Sequence, residues 1–261
     1  MKKRRNRPLR KLIVIFCMLL TVMACLALSP IFNIKKINVI GLIHYKSQDI
    51  ISSSGLFIDA NWFKVALTDP KGLFYLRSTN AERDILSGRP YIKSVTVRLR
   101  KVGEVEINIE ERKPTAKLSY LNTNFLVDNE GYILDAINGD SKERVPTIKG
   151  MELSQFAIGT RFRAKDSEDA EVLYKLMGVL ASSDESGARK MYDNIDFIDM
   201  ENTSDIGLFI DSRVLVKLGD IKDIDEYRIN FLKEIFFTRI QKNEIGTLDF
   251  TLGEIPHFIP N

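Results

Sequence analysis

The sequence predicts an α+β protein in three parts. One N-terminal helix spans a membrane, a strand-helix-helix-strand-strand domain follows, and a second mixed α/β domain with a largely antiparallel sheet completes the chain. Three observations predict it. Residues 12–28 read LIVIFCMLLTVMACLAL and carry no charge. Segments 94–100 and 104–110 each alternate apolar and polar side chains around a three-residue loop. Beyond residue 114, short alternating segments are interleaved with two stretches of helical apolar spacing.

Seventeen apolar residues rise about 25 Å as a helix, and residues 29–32 can add a turn, the short end of what crosses a bilayer. Ahead of this run stand Lys2, Lys3, Arg4, Arg5, Arg7, Arg10 and Lys11 with no acid among them, while only Lys35 and Lys36 follow closely. The excess of cations before the helix predicts a cytoplasmic tail over 1–11, a membrane helix over 12–29 and an extracytoplasmic remainder. The same residues admit two other readings. One is a cleavable leader with small residues around Cys25-Leu26-Ala27, and the other is a lipoprotein signal with Val22-Met23-Ala24 before Cys25. All three export the rest of the chain. Subtracting the seven tail cations from the net charge of +3 leaves the exported part near −4. The basic character therefore belongs to a tail that faces lipid headgroups, and nucleic acid is not an expected partner. Both cysteines, Cys17 and Cys25, lie in the apolar run, so no disulfide or thiolate metal site is expected outside it.

In the first exported domain, 30–113, Ile34, Ile37, Val39 and Leu42 frame a strand ending near Gly41. A helix is predicted over 47–54, with Ser47 as cap and Gly55 as stop. A second is predicted over 79–87, with Thr79 or Asn80 as cap and Gly88 and Pro90 ending it. In the hairpin that follows, Val95, Val97 and Leu99 share a face, as do Val105, Ile107 and Ile109. The loop Lys101-Val102-Gly103 sets a register in which Arg100 faces Glu104, Arg98 faces Glu106, Leu99 meets Val105 and Val97 meets Ile107. The apolar face of that hairpin requires helices packed on it.

The second domain, 114–261, starts at Pro114, which interrupts the strand and marks a junction. Strands are predicted over 116–120, 124–127 and 132–134, with Asn129-Glu130-Gly131 as a turn, then over 195–200, 206–210 and 214–218, with Asp211-Ser212-Arg213 between the last two. A helix over 167–180 carries Ala170, Leu173, Leu176, Met177 and Leu180 on one face. Another over 224–239 carries Ile224, Tyr227, Phe231, Leu232, Ile235, Phe236 and Ile240, with Arg228, Lys233, Arg239 and Lys242 on its other side. The last predicted strand is 247–252. Helices are expected on one side of the sheet.

A strand-helix-helix-strand-strand order directly after a membrane helix resembles a POTRA domain, a small module that binds other polypeptides. Val39-Ile40-Gly41, Pro90-Tyr91-Ile92-Lys93-Ser94-Val95, Glu111-Arg112-Lys113-Pro114 and Asp128-Asn129-Glu130-Gly131, in this order, resemble the FtsQ/DivIB family of bacterial cell-division proteins. The motif-level match runs from about 39 to 131. Two departures stand out. The hairpin loop has Val102-Gly103 where relatives often carry proline. The segment 61–77 is longer than usual, so either Asn61-Trp62-Phe63 or Gly72-Leu73-Phe74 fills the family's glycine-asparagine-aromatic position.

The resemblance implies a noncatalytic, membrane-anchored scaffold of the division machinery, located at the division septum. It implies as partners the small bitopic proteins of the FtsL and FtsB/DivIC type, bound by the last strand and the helix before it. The positions are Leu248, Asp249, Phe250, Thr251 and Leu252. A terminal strand tends to lie at a sheet edge, where free N–H and C=O groups can pair with a partner strand. Leu248, Phe250 and Leu252 are equally suited to core burial, and Asp249 and Thr251 on the opposite face are the better contact candidates.

The residues offer no competing chemistry. His44 and His257 are far apart and neither has a second ligand at metal spacing. No nucleophile elbow or phosphate loop is present. Asp193, Asp196 and Asp199 would straddle both faces of a strand, and Asp128-Asn129-Glu130-Gly131 lacks the rest of a calcium loop. Trp62 and Phe63 are read as a core pair. No cofactor, metal or catalytic residue is expected. The alternatives are a membrane-anchored cell-wall enzyme with scattered carboxylates, or a secreted POTRA-type chaperone, which would normally show repeated modules or barrel strands.

Overall fold

The structure, a computed structural model, describes residues 7–66, 75–137, 143–185, 189–253 and 255–260. The tail cations Lys2, Lys3, Arg4 and Arg5 and the segment Gly72-Leu73-Phe74 lie outside the described residues. Helix α1 covers Arg7–Ala27, and its side chains from 10 to 26 are all exposed. Its Arg10–Ala27 stretch is long and apolar enough to cross a membrane. The chain divides into two compact units, Met1–Glu111 and Arg112–Asn261.

In the first unit β1 (Lys36–Ile40), α2 (Ser47–Ser53), α3 (Trp62–Ala66), α4 (Thr79–Leu86), β2 (Ile92–Lys101) and β3 (Glu104–Glu111) follow α1. The sheet order is β1-β3-β2, with β1 parallel and β2 antiparallel to β3. One face of the hairpin (Val95, Val97, Val105, Ile107 and Ile109) packs on Ile50 of α2, Ile85 of α4 and Trp62 of α3. Trp62 is fully buried, as its core reading expected.

Three local expectations are corrected. The hairpin keeps Arg98 opposite Glu106, Leu99 opposite Val105 and Val97 opposite Ile107, but a bulge passes over Arg100, so Lys101 pairs with Glu104. Arg100 instead approaches Glu106 at 3.7 Å. A bulge places two residues opposite one, a local geometry that alternation does not encode. Helix α4 is capped by Ser78, whose Oγ accepts from Ala81 N, rather than by Thr79 or Asn80. Ser78 N donates to Val97 O at 2.9 Å, which holds Ser78 extended against β2 and gives it the cap geometry. Ser47 is the first residue of α2; the cap position belongs to Lys46, with no side-chain bond.

The motifs of the first unit have structural work. Gly41 sits at φ 91°, and a Cβ there would overlap the Ile109 carbonyl oxygen. The backbone N–H groups of Ile43, His44 and Tyr45 donate to the Glu111 carboxylate at 2.9, 2.6 and 3.2 Å. His44 stacks on Tyr91 with ring centroids 3.8 Å apart. The loop after β1 is thereby fastened to the end of β3 by residues 68 or fewer positions away.

The second unit contains β4 (Ala116–Tyr120), β5 (Thr123–Val127), β6 (Ile133–Ile137), β7 (Thr147–Lys149), β8 (Leu153–Gln155), β9 (Arg163–Ala164), α5 (Ser167–Glu185), β10 (Ile195–Asp199), β11 (Ile206–Ile210), β12 (Val214–Gly219), α6 (Glu226–Thr238), β13 (Gly246–Asp249) and β14 (His257–Pro260). Nine strands form a mixed sheet in the order β14-β13-β12-β11-β10-β7-β4-β5-β6, and β8-β9 form a separate ribbon. The central β7 is parallel to both β4 and β10 and welds two antiparallel meanders together. Its three residues are too few to show a period, so β7 is not legible in the sequence.

Around the turn between β5 and β6, Arg112 Nη1 reaches Asp128 Oδ2 at 2.5 Å and Glu130 Oε2 at 2.9 Å, and its guanidinium lies 3.7 Å from the Tyr132 ring centroid. Asp128 also accepts from the N–H groups of Glu130 and Tyr132. Two motifs separated in sequence are thus the two sides of one buried ion pair.

Helix α6 departs from its predicted stripe. Tyr227 is 76% exposed, whereas Ile229 and Lys233 are buried with Leu232, Ile235 and Phe236. The rest of the stripe stays inward, and Lys233, expected on the outer side, joins it because it has a buried partner. Its Nζ donates to Ser183 O at 2.7 Å and to Asp184 Oδ1 at 2.8 Å, at the end of α5. A buried cation needs such a partner, and helical spacing alone cannot reveal it.

Candidate functional site

The last strands carry the site that the resemblance singled out. β12 runs parallel to β13, with Val216 opposite Leu248 and Lys217 opposite Asp249. β14 returns antiparallel on the other side of β13, pairing Thr247 with Ile259, Leu248 with Phe258 and Asp249 with His257. The expectation that the strand at 247–252 forms the sheet edge is therefore corrected: it ends at Asp249 and lies inside the sheet, and β14 is the edge. Pro256 and Pro260 hid β14, since proline is disfavoured within a sheet except at an edge.

The five candidate residues divide sharply. Leu248 and Phe250 are buried; Phe250 N donates to Lys217 O, and its ring meets Phe231 of α6 edge-on with centroids 6.3 Å apart. Asp249 is only 6% exposed. Its Oδ1 accepts from Thr251 N at 2.7 Å and Thr251 Oγ1 at 2.6 Å, so it folds the chain out of the sheet. Burial by itself raises the Asp249 carboxyl. The Thr251 hydrogen bonds, with Lys217 and His257 nearby, outweigh that and hold it below the ordinary carboxylate range. Thr251 and Leu252 are exposed. The residues that alternation could not find are Ile255, Ile259 and Tyr227, which are 68%, 48% and 76% exposed. Leu252, Ile255 and Ile259, on or next to β13 and β14, give this end of the domain an apolar rim beside an edge that has no further strand among the described residues.

Gly246 makes this edge possible. A Cβ there would overlap the Ile259 carbonyl and crowd Phe258 and Pro260, all in β14. Gly246→Ala is expected to loosen β14 from β13 while leaving β12 in place. Hydrogen exchange checks it: the amides of 257–259 should lose protection and those of 214–218 should keep it.

Elsewhere several acidic side chains have structural partners. Asp196 accepts from Ser212 N, closing the β11–β12 turn in which Asp211 and Ser212 both have positive φ. Asp199 accepts from Glu201 N, Asp166 from Glu168 N at the start of α5, and Glu152 pairs with Lys165 at 2.6 Å. Among the described residues, no group of three or more His, Cys, Asp or Glu is placed to hold a metal ion.

The fold defines a class first: an N-terminal apolar helix fit to anchor the chain in a membrane, a POTRA domain, and a sheet-rich domain beyond it. The family described as "POTRA domain, FtsQ-type" matches residues 32–112. The chain is 32% identical over 163 residues to the cell division protein DivIB of Clostridium acetobutylicum, a match covering 62% of this chain and 59% of that protein. It is 22% identical over 216 residues to DivIB of Clostridium tetani, covering 83% and 73%, and 28% identical over 111 residues to DivIB of Bacillus anthracis, covering 42% and 37%. The chain thus carries a POTRA domain of the FtsQ type and is similar to cell division proteins named DivIB, spanning less than two thirds of the length of the first of them.

Proposed function

We propose that this protein is a noncatalytic scaffold of the division machinery, with its tail in the cytoplasm and both domains on the other side of the membrane at the septum. Similarity to cell division proteins supports the process. The observation that carries the mechanism is the apolar edge at β14. An edge strand offers backbone groups to an incoming strand, and flanking apolar side chains give that strand a place to bury its own. Bitopic proteins of the FtsL and FtsB/DivIC type fit such an edge, because a short extracytoplasmic segment can supply one strand. In this reading Leu252, Thr251 and Ile259 touch the partner, while Leu248, Asp249 and Phe250 hold the strand and turn in shape.

A double substitution tests the contact role. Ile259→Asp combined with Leu252→Asp is expected to weaken co-purification of the bitopic partners at least tenfold with the fold intact, since burying an unpaired charge in an interface costs more than about 1.4 kcal/mol. Undiminished co-purification would remove β14 as the contact. An N-terminal fluorescent fusion in dividing cells tests the wider claim: a band at midcell supports it, and uniform envelope fluorescence with normal division on depletion refutes it.

A further inference from the structure

The first domain is fastened to the end of the membrane helix. Asn61 Nδ2 donates to Ala27 O, in the last turn of α1, at 3.2 Å and to Ser29 O just beyond it at 3.0 Å. Phe63 meets Phe32 edge-on with centroids 4.9 Å apart. Ile34 N donates to Ala60 O and Asp59 N to Ile34 O, both at 2.8 Å, so the turn at 57–60 is locked to the chain just after the helix. Lys35 N and Lys36 N both donate to Gly103 O, which brings the β2–β3 loop to the same end. The headgroup zone on each side of a bilayer is roughly 5–8 Å thick. Groups bonded to the last turn of a spanning helix therefore lie in that zone or at its rim.

The side chains at this end suit it. Phe57 is 65% exposed, Ile58 51%, Ile31 57% and Val102 54%. Phe57 and Ile58 sit on a turn that Asp59 closes with φ 68°, a conformation that aspartate tolerates better than most residues. Lys35, Lys36 and Lys64 are exposed on the same segments and outnumber the Asp59 carboxylate. Apolar side chains beside lysines, next to a membrane helix, are the composition of a surface that beds into headgroups.

We propose that this end of the first domain docks on the bilayer that α1 crosses, with Ile31, Phe57, Ile58 and Val102 at the headgroup–acyl boundary and the lysines against anionic phosphates. The occupant is lipid, because the patch is continuous with the helix already in it. The domain then stands on the membrane as a fixed post rather than swinging on a tether, and Asn61 is the clamp. The proposal rests on α1 spanning the membrane, and its test separates the two claims.

Full-length protein is reconstituted in nanodiscs of phosphatidylcholine and phosphatidylglycerol and spin-labelled at one site at a time. The native Cys17 reports α1 in a Cys25→Ala background. Ile58→Cys, Val102→Cys and Lys93→Cys report the domain in a background with Cys17→Ala and Cys25→Ala. Lys93 lies about 26 Å along β2 from the hairpin tip. Collision with oxygen is compared with collision with a water-soluble nickel chelate. Oxygen should dominate at 17, 58 and 102 and the chelate at 93, and adding Phe57→Asp should move position 58 toward the value at 93. If 58 and 102 match 93 while 17 reports lipid, docking is wrong and the anchor stands. If 17 itself is in water, the anchor fails and docking with it.

Discussion

Gly41→Val is expected to destabilise the first domain by about 3–5 kcal/mol. The backbone at Gly41 has φ 91°, which costs a residue with a side chain ~1–2 kcal/mol, and the added atoms would overlap the Ile109 carbonyl of β3. Relief requires moving β1 off β3, and with it the loop whose N–H groups bind Glu111. Trp62 is the single tryptophan and is fully buried in this domain, so its fluorescence reports this domain's unfolding. The urea midpoint read at Trp62 should fall steeply. An unchanged midpoint would mean that β1 and β3 are not packed as described.

Lys233→Ala is expected to cost about 3–5 kcal/mol in the second domain and nothing at Trp62. The loss follows from leaving Asp184 buried without its cation. Asp184 accepts from Lys233 and from the N–H groups of Met191 and Tyr192, so one carboxylate ties α6, α5 and the chain entering β10 together. Burial raises the Asp184 carboxyl, but the Lys233 hydrogen bond and the two backbone hydrogen bonds outweigh it and leave it below its ordinary value. A carboxyl depressed by folding adds stability that is fully present above its unfolded value, near pH 3.8, and is lost as the pH falls below that toward the folded value. The penalty of Lys233→Ala should therefore be full at neutral pH and shrink under acid. The double variant Lys233→Met with Asp184→Leu should recover much of the loss, because no buried charge remains unpaired. Near-ultraviolet circular dichroism of the tyrosines, followed through denaturation, measures all three. Failure of the double variant to recover would show that the backbone N–H groups at 191 and 192 depend on the carboxylate more than the lysine does.

Alternation and helical spacing were enough to find the hairpin at 94–110, the strands at 116–120 and 206–218, and the long helices. Each of these is a two-sided element whose pattern is written in consecutive residues. The short motifs pointed to the family of the proteins this chain is similar to, without saying what they do. Their work is tertiary: Glu111 binds N–H groups far back in the chain, and Arg112 closes on Asp128 and Glu130. Asp249 shows the opposite failure. Alternation put it on the outer face, and the structure gives it a Thr251 clamp and a neighbouring strand that cover it.

The sequence by itself determined the parts: an apolar run long enough to cross a bilayer, a hairpin with one greasy face, helices with stripes, and turns at glycine and aspartate. Local sterics and periodicity fix these, and neighbours along the chain supply both. Only the tertiary structure decided which strand ends the sheet, that Lys233 of α6 turns inward, and what Asn61 holds. Those outcomes depend on β14, which two prolines disguise, on a buried Lys233–Asp184 pair formed by residues 49 apart, and on carbonyls at the end of a helix that a side chain 34 residues later must reach. Such choices are settled by desolvation and by unpaired hydrogen-bonding groups, quantities that exist only once distant segments meet.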